Sequence, residues 1–365
     1  MPMPAARWPK GSAALAIFVA ASVAALFALA PARRAAEAKG GLPLTAPLPD
    51  RVPKGVVLRV GDPVSRWVFR HNGWDKKLPF RIEWAEITGG PDVTEAFHAG
   101  ALDVGFGASV PPIHAVWMGI PVRIVGFREY ADRSRRRAYV FGISPKAQIR
   151  TLADLRGKRI AFSPSQVQAQ IVLQTLKYQG IARKDVTLVE LPSSTGGDVY
   201  SDALAAGVID AAPIRGDLVA ERYIRKFGAR GARLLDHPPF RDDGAGIYVP
   251  ETVLADPGKV AALRVFVRYW GLAQAWIRTH PDELAAGYYV KDQGLSPEDA
   301  RIMAGYTSNI SVPRNWEGAI AYEQAAVDTL GPETKHPRLD AATLFDRRFE
   351  TIAGDAAATA QGKQP

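Results

Sequence analysis

The stretch TGGPDVTEAFHAGALDVG, residues 88–105, recurs 107 positions later as TGGDVYSDALAAGVIDAA, residues 195–212. Seven of the eighteen paired positions are identical, among them the opening Thr-Gly-Gly and the later Gly100/Gly207 and Asp103/Asp210 pairs. Each copy predicts a short helix, over residues 92–99 and 199–206. Gly100 and Gly207 then end these helices in the left-handed conformation. A strand follows each helix, over residues 102–106 and 209–214.

The residues around each copy extend the pattern. Apolar segments at 80–87 and 186–191 lead into the two Thr-Gly-Gly turns, and strands at 56–60 and 159–162 precede them. Strand, helix, strand, helix, strand, twice over, predicts two α/β lobes. The alternative is a chance match in a chain rich in Ala and Gly.

Ligands of open α/β sheets bind beyond the carboxyl ends of the strands. Four loops occupy that position, at residues 61–66, 107–112, 163–168 and 214–217, two in each predicted lobe. If the lobes face each other, these loops converge on one cleft. The predicted ligand-binding residues are Ser65, Arg66, Gly107, Ser109, Val110, Ser163, Ser165, Gln166, Gln168, Arg215 and Asp217.

These loops suit a small anionic or polar ligand. Where a strand passes into a helix, unpaired N–H groups and the positive end of the helix dipole are available to an anion. Arg215 and Arg66 are candidate cations. Two simpler interpretations stay open: the serines are ordinary helix caps, and Arg215 forms a surface pair with Asp217 or Glu221.

Composition excludes several kinds of chemistry. The chain has 365 residues and no Cys, so it holds no disulfide, thiol nucleophile or Cys-ligated metal. Its six His are scattered, and the phosphate-loop, HExxH and GxSxG motifs are absent. Asp103 and Asp210 follow glycine caps, which favours a turn or cap role over a catalytic pair. The sequence therefore predicts no catalytic residue, no metal site and no cofactor.

The N-terminus has the order of an export signal. Arg7 and Lys10 precede an uncharged run at residues 13–30, and Ala36-Glu37-Ala38 offers a cleavage site. We expect residues 1–38 to be a signal peptide, or an uncleaved anchor in the inner membrane, and residues 39–54 a linker. The small, polar residues 353–365 predict a flexible tail. The protein is therefore expected in the periplasm.

The net charge is +9, from 46 Lys and Arg against 37 Asp and Glu. The densest basic run, residues 133–137, lacks interleaved aromatics and precedes an apolar strand. A solvated loop is favoured over a polyanion patch, and no nucleic acid partner is expected.

A longer pattern extends beyond the repeat, and its most specific segment is TLADLRGKRIAF, residues 151–162. The other residues of the pattern are Glu83, Gly89, Gly90, Glu95, Ala96, Ala99, Gly100, 102–107, Ser109, Pro111, Pro112, 119–121 and Ser165. This pattern resembles a known family, the solute-binding proteins of nitrate, sulfonate and taurine ABC importers.

The resemblance implies a type II periplasmic binding protein fold, with two α/β lobes around a ligand cleft and two hinge crossings. Lobe I would comprise residues 55–143 and 245–352, and lobe II residues 144–244. Hinge strands are expected near residues 139–144 and 244–249. The implied function is the capture of a small organic anion, such as an aliphatic sulfonate or taurine, by a monomer. The partners would be the permease and ATPase of the importer.

The chain departs from the family at residues 214–217. Many members carry an aromatic-and-Asp segment there, whereas this chain has Ile214-Arg215-Gly216-Asp217. An Arg favours an anionic ligand but puts an aliphatic sulfonate in doubt. Two alternatives remain: an enzyme on the same fold, like the thiamine-pyrimidine synthases or an aromatic desulfinase, and a membrane-anchored ligand sensor. Zero Cys and no His cluster disfavour the enzyme.

Overall fold

The computed structural model describes residues 41–87, 89–134, 137–191 and 199–361. Its strands are β1 Val57–Gly61, β2 Arg81–Trp84, β3 Val104–Ala108, β4 Val122–Arg128, β5 Tyr139–Ile143, β6 Arg159–Phe162, β7 Thr187–Glu190, β8 Ala211–Arg215, β9 Arg233–Leu235 and β10 Ala245–Pro250.

The α-helices are α1 Pro63–His71, α2 Gly90–His98, α3 Val110–Trp117, α4 Val167–Tyr178, α5 Val199–Ala206, α6 Leu218–Phe227, α7 Glu251–Leu254, α8 Pro257–Thr279, α9 Pro281–Leu284, α10 Pro297–Thr307, α11 Glu317–Thr334 and α12 Ile352–Gln361. A π-helix spans Ala285–Asp292, and short 3-10 turns lie at Asp75–Lys77, Leu152–Leu155, Arg183–Asp185, Gly228–Arg230, Ala341–Leu344 and Arg347–Phe349.

The strands form two mixed sheets that repeat one pattern. The first has the order β2-β1-β3-β10-β4 and the second the order β7-β6-β8-β5-β9. In each sheet the first strand of a repeat copy pairs in parallel with the second and the third strand of that copy. The fourth strand along each sheet, β10 or β5, runs antiparallel to both of its neighbours. The prediction that the two copies belong to different α/β units is confirmed.

A polar motif is shared by both copies. Arg59 on β1 donates from its backbone N to Asp103 at 2.9 Å and pairs with it at 2.7 Å. Arg159 on β6 makes the same contacts with Asp210 at 2.8 Å in each case. The two aspartates therefore do not have the expected turn or cap role. Each carboxylate instead binds an arginine on the neighbouring strand and links the two strands. Gly100 has φ +65° and Gly207 has φ +73°, as left-handed helix ends require.

The chain crosses between the sheets twice, from β4 to β5 and from β9 back to β10. Two adjacent aspartates hold these crossings. Asp243 accepts from the backbone N of Tyr130 at 2.7 Å, beyond the end of β4. Asp242 accepts from the backbone N of Tyr139 at 2.8 Å, where β5 begins. Because β5 belongs to the second sheet, the lobe boundary expected at residue 143 moves back to the segment between β4 and β5.

The two ends of the described chain differ from each other. The expected linker has no helix or strand between residues 44 and 56, although Ala46 and Asp50 contact Arg348 and Arg264. The expected flexible tail is wrong up to residue 361, because α12 packs on α8. A Cβ at Gly271 of α8 would lie only 2.3 Å from the carbonyl oxygen of Ala353. The small side chains that suggested disorder are what lets the two helices approach closely.

Residues 1–38, the predicted signal peptide or anchor, lie outside the described residues. Among the described helices, none has the length and apolar character needed to cross a membrane. The Thr-Gly-Gly turn of the second copy, residues 195–197, also lies outside them, as does Thr88 of the first copy.

Candidate functional site

The carboxyl ends of the strands gather the predicted site residues at one edge of each sheet. In the first sheet Ala245, the first residue of β10, pairs with both Ala108 and Arg128, the last residues of β3 and β4. In the second sheet Tyr139, which begins β5, pairs with Arg215, which ends β8. The antiparallel strands therefore begin where their parallel neighbours end, at the edges from which the crossings leave.

Ser109 connects the two edges. Its Oγ lies 3.3 Å from Tyr322 Oη on α11 and 3.5 Å from Gln170 Oε1 on α4 of the second unit. Ser109 precedes α3 but makes no side-chain capping bond. The simple cap interpretation therefore fails for this serine, whose hydroxyl faces the junction between the two units.

Gly107 and Val110, near Ser109, would contribute to the candidate site through their backbone rather than through side chains. A Cβ at Gly107 would come within 3.3 Å of the Tyr248 ring, so the glycine allows this close contact. Val110 is fully buried in an apolar cluster with residues of the second sheet. The Val110 side chain therefore belongs to the core, and the prediction that Val110 binds a ligand depends on its backbone N–H.

Ser65 and Arg66 are already engaged. Ser65 Oγ donates to Asp62 at 2.6 Å, and its backbone N donates to the same carboxylate at 3.1 Å. Asp62 is thus the cap of α1. Arg66 forms an ion pair with Glu86. As a candidate cation, Arg66 already has a carboxylate partner.

The loop that follows β6 presents a mixed set of side chains. The backbone N of Gln166 donates to the Ser163 carbonyl at 3.0 Å, closing a turn before α4. Ser163 and Gln168 are buried, while Ser165 and Gln166 are half-buried. A Cβ at Gly90, in the first unit, would lie 3.5 Å from Gln166 Nε2. The loop after β6 therefore abuts the N-terminus of α2 from the other unit, as the predicted convergence requires.

Arg215 and Asp217 form a pair, as the simpler interpretation suggested. Arg215 Nε donates to Asp217 at 2.6 Å, and Asp217 also caps α6 by accepting from Val219 N at 3.1 Å. The Asp217 carboxylate raises the pKa of Arg215, and the phenols of Tyr139 and Tyr130 add to the effect. Arg215, at the end of β8, is therefore already paired with the Asp217 carboxylate.

Arg128 was not among the predicted ligand-binding residues. Its Nη1 donates to Gln274 Oε1 at 2.8 Å, and its guanidinium lies 4.7 Å from the centre of the Phe106 ring. Burial lowers the pKa of Arg128, while the Asp62 carboxylate acts in the opposite direction and Arg215 lowers it further. Arg128 ends β4 and Arg215 ends β8, and the two guanidinium charges act on each other electrostatically. Arg128 gave one signal in the sequence: a cation directly ends an apolar strand.

Three tyrosines, Tyr130, Tyr139 and Tyr289, act electrostatically on Arg128 or Arg215. Burial raises the pKa of Tyr139 to about 12, and it also raises the pKa of Tyr130 and Tyr289. All three phenols therefore stay neutral at physiological pH and are able to donate a hydrogen bond. The arrangement offers guanidinium, amide, hydroxyl and phenol groups, which is the chemistry of anion binding. Within the described ranges no three His, Cys, Asp or Glu residues are grouped to hold a metal ion.

Comparison with known proteins found similarity to one family model and to binding proteins. Residues 70–239 match the family model described as NMT1/THI5 like. Over 117 residues the chain is 29% identical to a protein of Escherichia coli K12 assigned as an aliphatic sulfonates-binding protein. This match covers 32% of the present chain and 35% of that relative, which is about a third of each.

Solved structures share the fold over most of the chain. The alkanesulfonate-binding protein SsuA of Xanthomonas axonopodis pv. citri, bound to MOPS, has a TM-score of 0.64 at 23% identity, covering 80% of this chain and 99% of its own. The periplasmic aliphatic sulphonate binding protein SsuA of Escherichia coli has a TM-score of 0.65 at 21% identity, with 82% and 99% covered. The family resemblance noted in the sequence and the predicted fold class are both confirmed. Residues 70–239 match an NMT1/THI5-like domain, and the chain is similar to an aliphatic sulfonates-binding protein over 117 residues and shares the periplasmic binding protein fold.

Proposed function

We propose that this protein is the extracytoplasmic substrate-binding protein of an ABC importer for a small organic anion of the sulfonate class. The ligand would bind between the two α/β units, which close over it by hinge motion at the two crossings. The closed form would then deliver the ligand to the permease and ATPase subunits in the inner membrane. Homology to sulfonate-binding proteins supports the role, and the chemistry of the cleft supports the ligand class.

Arg128 is the observation that carries this proposal. Within the described residues no carboxylate lies at ion-pair distance from its guanidinium, and its hydrogen-bond partner is the neutral Gln274 amide. The Asp62 carboxylate, which acts on Arg128 electrostatically, already accepts hydrogen bonds from Ser65 Oγ at 2.6 Å and from Trp270 Nε1 at 3.2 Å. Desolvating a cation without a counterion is costly, so an anion entering beside it is strongly favoured.

The second unit would complete the site from the opposite side. Ser165, Gln166 and the backbone N–H groups at the start of α4 would donate to the ligand oxygens, with Ser109 donating from the first unit. Tyr130 and Tyr139 would contact the organic part of the ligand and donate their phenol hydrogens. Taurine remains a candidate ligand because its sulfonate would bind in the same way, and nitrate is the smallest anion of this kind.

The alternative of an enzyme on the same fold has less support. The chain has no Cys, and the homologues identified by sequence are assigned to binding rather than catalysis. We therefore expect no turnover of the bound ligand. Two lobes with their first boundary between β4 and β5, a monomeric state and an export signal at residues 1–38 belong to the same proposal. The basic N-terminal flank and the uncharged run at 13–30 support export.

Calorimetry tests the proposed function. Methanesulfonate, taurine, nitrate and sulfate are titrated into the purified protein and into Arg128→Gln. One charge-assisted hydrogen bond contributes about 1.5–3 kcal/mol, so the variant should bind a sulfonate about tenfold to a hundredfold more weakly. Arg301→Gln, at an exposed arginine of α10, is the matched control. If the wild-type protein binds none of these anions, the proposal is wrong. Equal affinity of wild type and Arg128→Gln would remove Arg128 from the site.

A further inference from the structure

Gln274 lies at the base of the proposed anion site. Its side chain is almost completely buried on α8, and its Oε1 accepts the hydrogen bond from Arg128 Nη1 at 2.8 Å. Trp270 lies one turn earlier on the same helix and donates its indole N–H to Asp62 at 3.2 Å. Residues four apart share one helix face. The same face of α8 therefore anchors both the cation and the nearest buried carboxylate.

The groups that face Arg128 come from several elements. Phe106 on β3 lies under the guanidinium, and Gln274 on α8 holds one of its nitrogens. Asp62, Tyr130, Tyr289 and Arg215 act on it electrostatically. Asp62 already accepts hydrogen bonds from Ser65 and Trp270. The Asp217 carboxylate is paired with Arg215.

We propose that Gln274 determines the charge of the ligand, because a neutral amide orients Arg128 without cancelling its positive charge. This inference rests on the proposed function. Arg215 is neutralised by Asp217, whereas Arg128 is not neutralised by any carboxylate at ion-pair distance among the described residues. The site thus offers one uncompensated positive charge, which selects a singly charged anion over a dianion.

The physical reason is that Glu and Gln have nearly the same size. A Glu at position 274 would occupy the same space and accept the same hydrogen bond, but it would form an ion pair with Arg128. The pair of Arg128 and the introduced carboxylate would then present no net charge to the cleft. An anionic ligand would also be repelled by this carboxylate directly behind Arg128. The Gln274→Glu variant therefore changes the charge beside Arg128 while the shape of the side chain stays nearly the same.

The experiment compares Gln274→Glu with Gln274→Met, which keeps the site neutral and the volume similar. Methanesulfonate affinity is measured by calorimetry on the full-length protein, and thermal unfolding checks that each variant folds. We expect Gln274→Glu to lose at least tenfold in affinity and Gln274→Met to stay within about fivefold, since only the former cancels the charge. Equal losses in both variants, or no loss in either, would overturn the role of Gln274.

A second measurement does not depend on the folding of any variant. Wild-type protein is titrated with methanesulfonate, a monoanion, and with sulfate, a dianion, at the same pH and ionic strength. We expect at least tenfold preference for the monoanion. Tighter binding of sulfate would overturn the inference while leaving an anion-binding function intact. Binding of neither would contradict the proposed function itself.

Discussion

Glu323 lies within α11 with its side chain fully buried, and neither carboxylate oxygen has a hydrogen-bond partner in the described structure. Burial raises the pKa of Glu323 from its usual value near 4.5 to about 8, with Arg241 acting weakly in the opposite direction. The preceding residue, Tyr322, contacts Ser109 at the cleft. A neutral acid therefore lies beside a residue of the candidate site at physiological pH.

This acid makes stability depend on pH. Between about pH 4.5 and 8 the folded protein keeps a proton on Glu323 that the unfolded chain releases. The folded state therefore binds more protons, and the free energy of unfolding falls as pH rises through this window. Glu323→Gln should remove that part of the slope and raise stability at pH 8 relative to wild type. Urea unfolding at pH 5, 6.5 and 8 measures the effect.

The control is Glu95→Gln, at an exposed glutamate of α2, which should leave the wild-type slope unchanged. If Glu323→Gln and wild type have parallel dependences on pH, Glu323 does not hold its proton as described.

At this scale the sequence revealed only part of the site. Ser109 and Arg215 could be predicted because the internal repeat places them after the last strand of each copy. Arg128 ends β4, which lies outside the matched residues 88–105 of the repeat, so no spacing pointed to it. Its importance depends on Gln274, 146 residues away, and a contact at that separation leaves no local signal. The sequence also did not reveal that the Val110 side chain packs into an apolar cluster with residues of the second sheet.

Among the elements, the two repeat copies form a natural comparison. Asp103 is almost completely buried and is held by Arg59 and by Lys259 at 2.8 Å. Asp210 has a more exposed side chain and pairs with Arg159 alone among the described contacts. Burial raises the pKa of Asp103, but hydrogen bonds from Arg59 and Lys259 outweigh it and lower the pKa overall. The same motif thus occurs once in a buried and once in a partly exposed setting.

The Asp103→Asn variant should destabilise the protein by about 3 kcal/mol, because it leaves two cations beside a neutral amide in a buried position. Asp210→Asn removes a partly exposed pair and should cost about 1 kcal/mol. Urea unfolding at pH 7 compares the two variants directly. A larger cost for Asp210→Asn would show that burial does not govern the strength of this motif.

The repeat also explains how much of the fold was predictable. Matching glycines at 100 and 207 and matching aspartates at 103 and 210 mark equivalent helix ends and strand starts, so both sheets followed from local signals. The α12 helix could not be predicted in this way, since its alanines gave no amphipathic pattern. Its stability comes from close packing on Gly271 of α8, a tertiary contact that composition does not reveal.

In the whole molecule, two further contacts join the units, in addition to those of Ser109, Val110 and Gln166 at the cleft. One joins α11 to the second unit: Gln174 Nε2 lies 3.4 Å from Thr329 Oγ1, and Arg183 pairs with Glu333 at 2.7 Å. The other joins α6 to α10, where Arg222 pairs with Asp299 at 2.7 Å. Both contacts hold the two units together in the arrangement that the structure shows.

The α6–α10 contact centres on one carboxylate. Asp299 has a buried side chain and accepts from both Arg222 and Arg225, the latter at 3.3 Å. Hydrogen bonds from Arg222 are the main cause that lowers the pKa of Asp299. Its position in the first turn of α10 could be predicted from the cap at Ser296, but its partners are 74 and 77 residues distant. The pairing of Asp299 with its two arginines can therefore be seen only in the folded chain.

Asp299→Asn should shift the protein toward the open arrangement. The variant loses the charge that two arginines share across the units, while the amide keeps the size of the side chain. Two ion pairs of partly exposed arginines together contribute about 1 kcal/mol, which corresponds to roughly a fivefold change in equilibrium. We expect faster ligand release, weaker affinity by that factor and a larger radius of gyration in X-ray scattering. Glu95→Gln, at an exposed glutamate of α2, is the control and should change neither measurement. Unchanged scattering and affinity in Asp299→Asn would mean that the α11 contacts alone keep the two units closed.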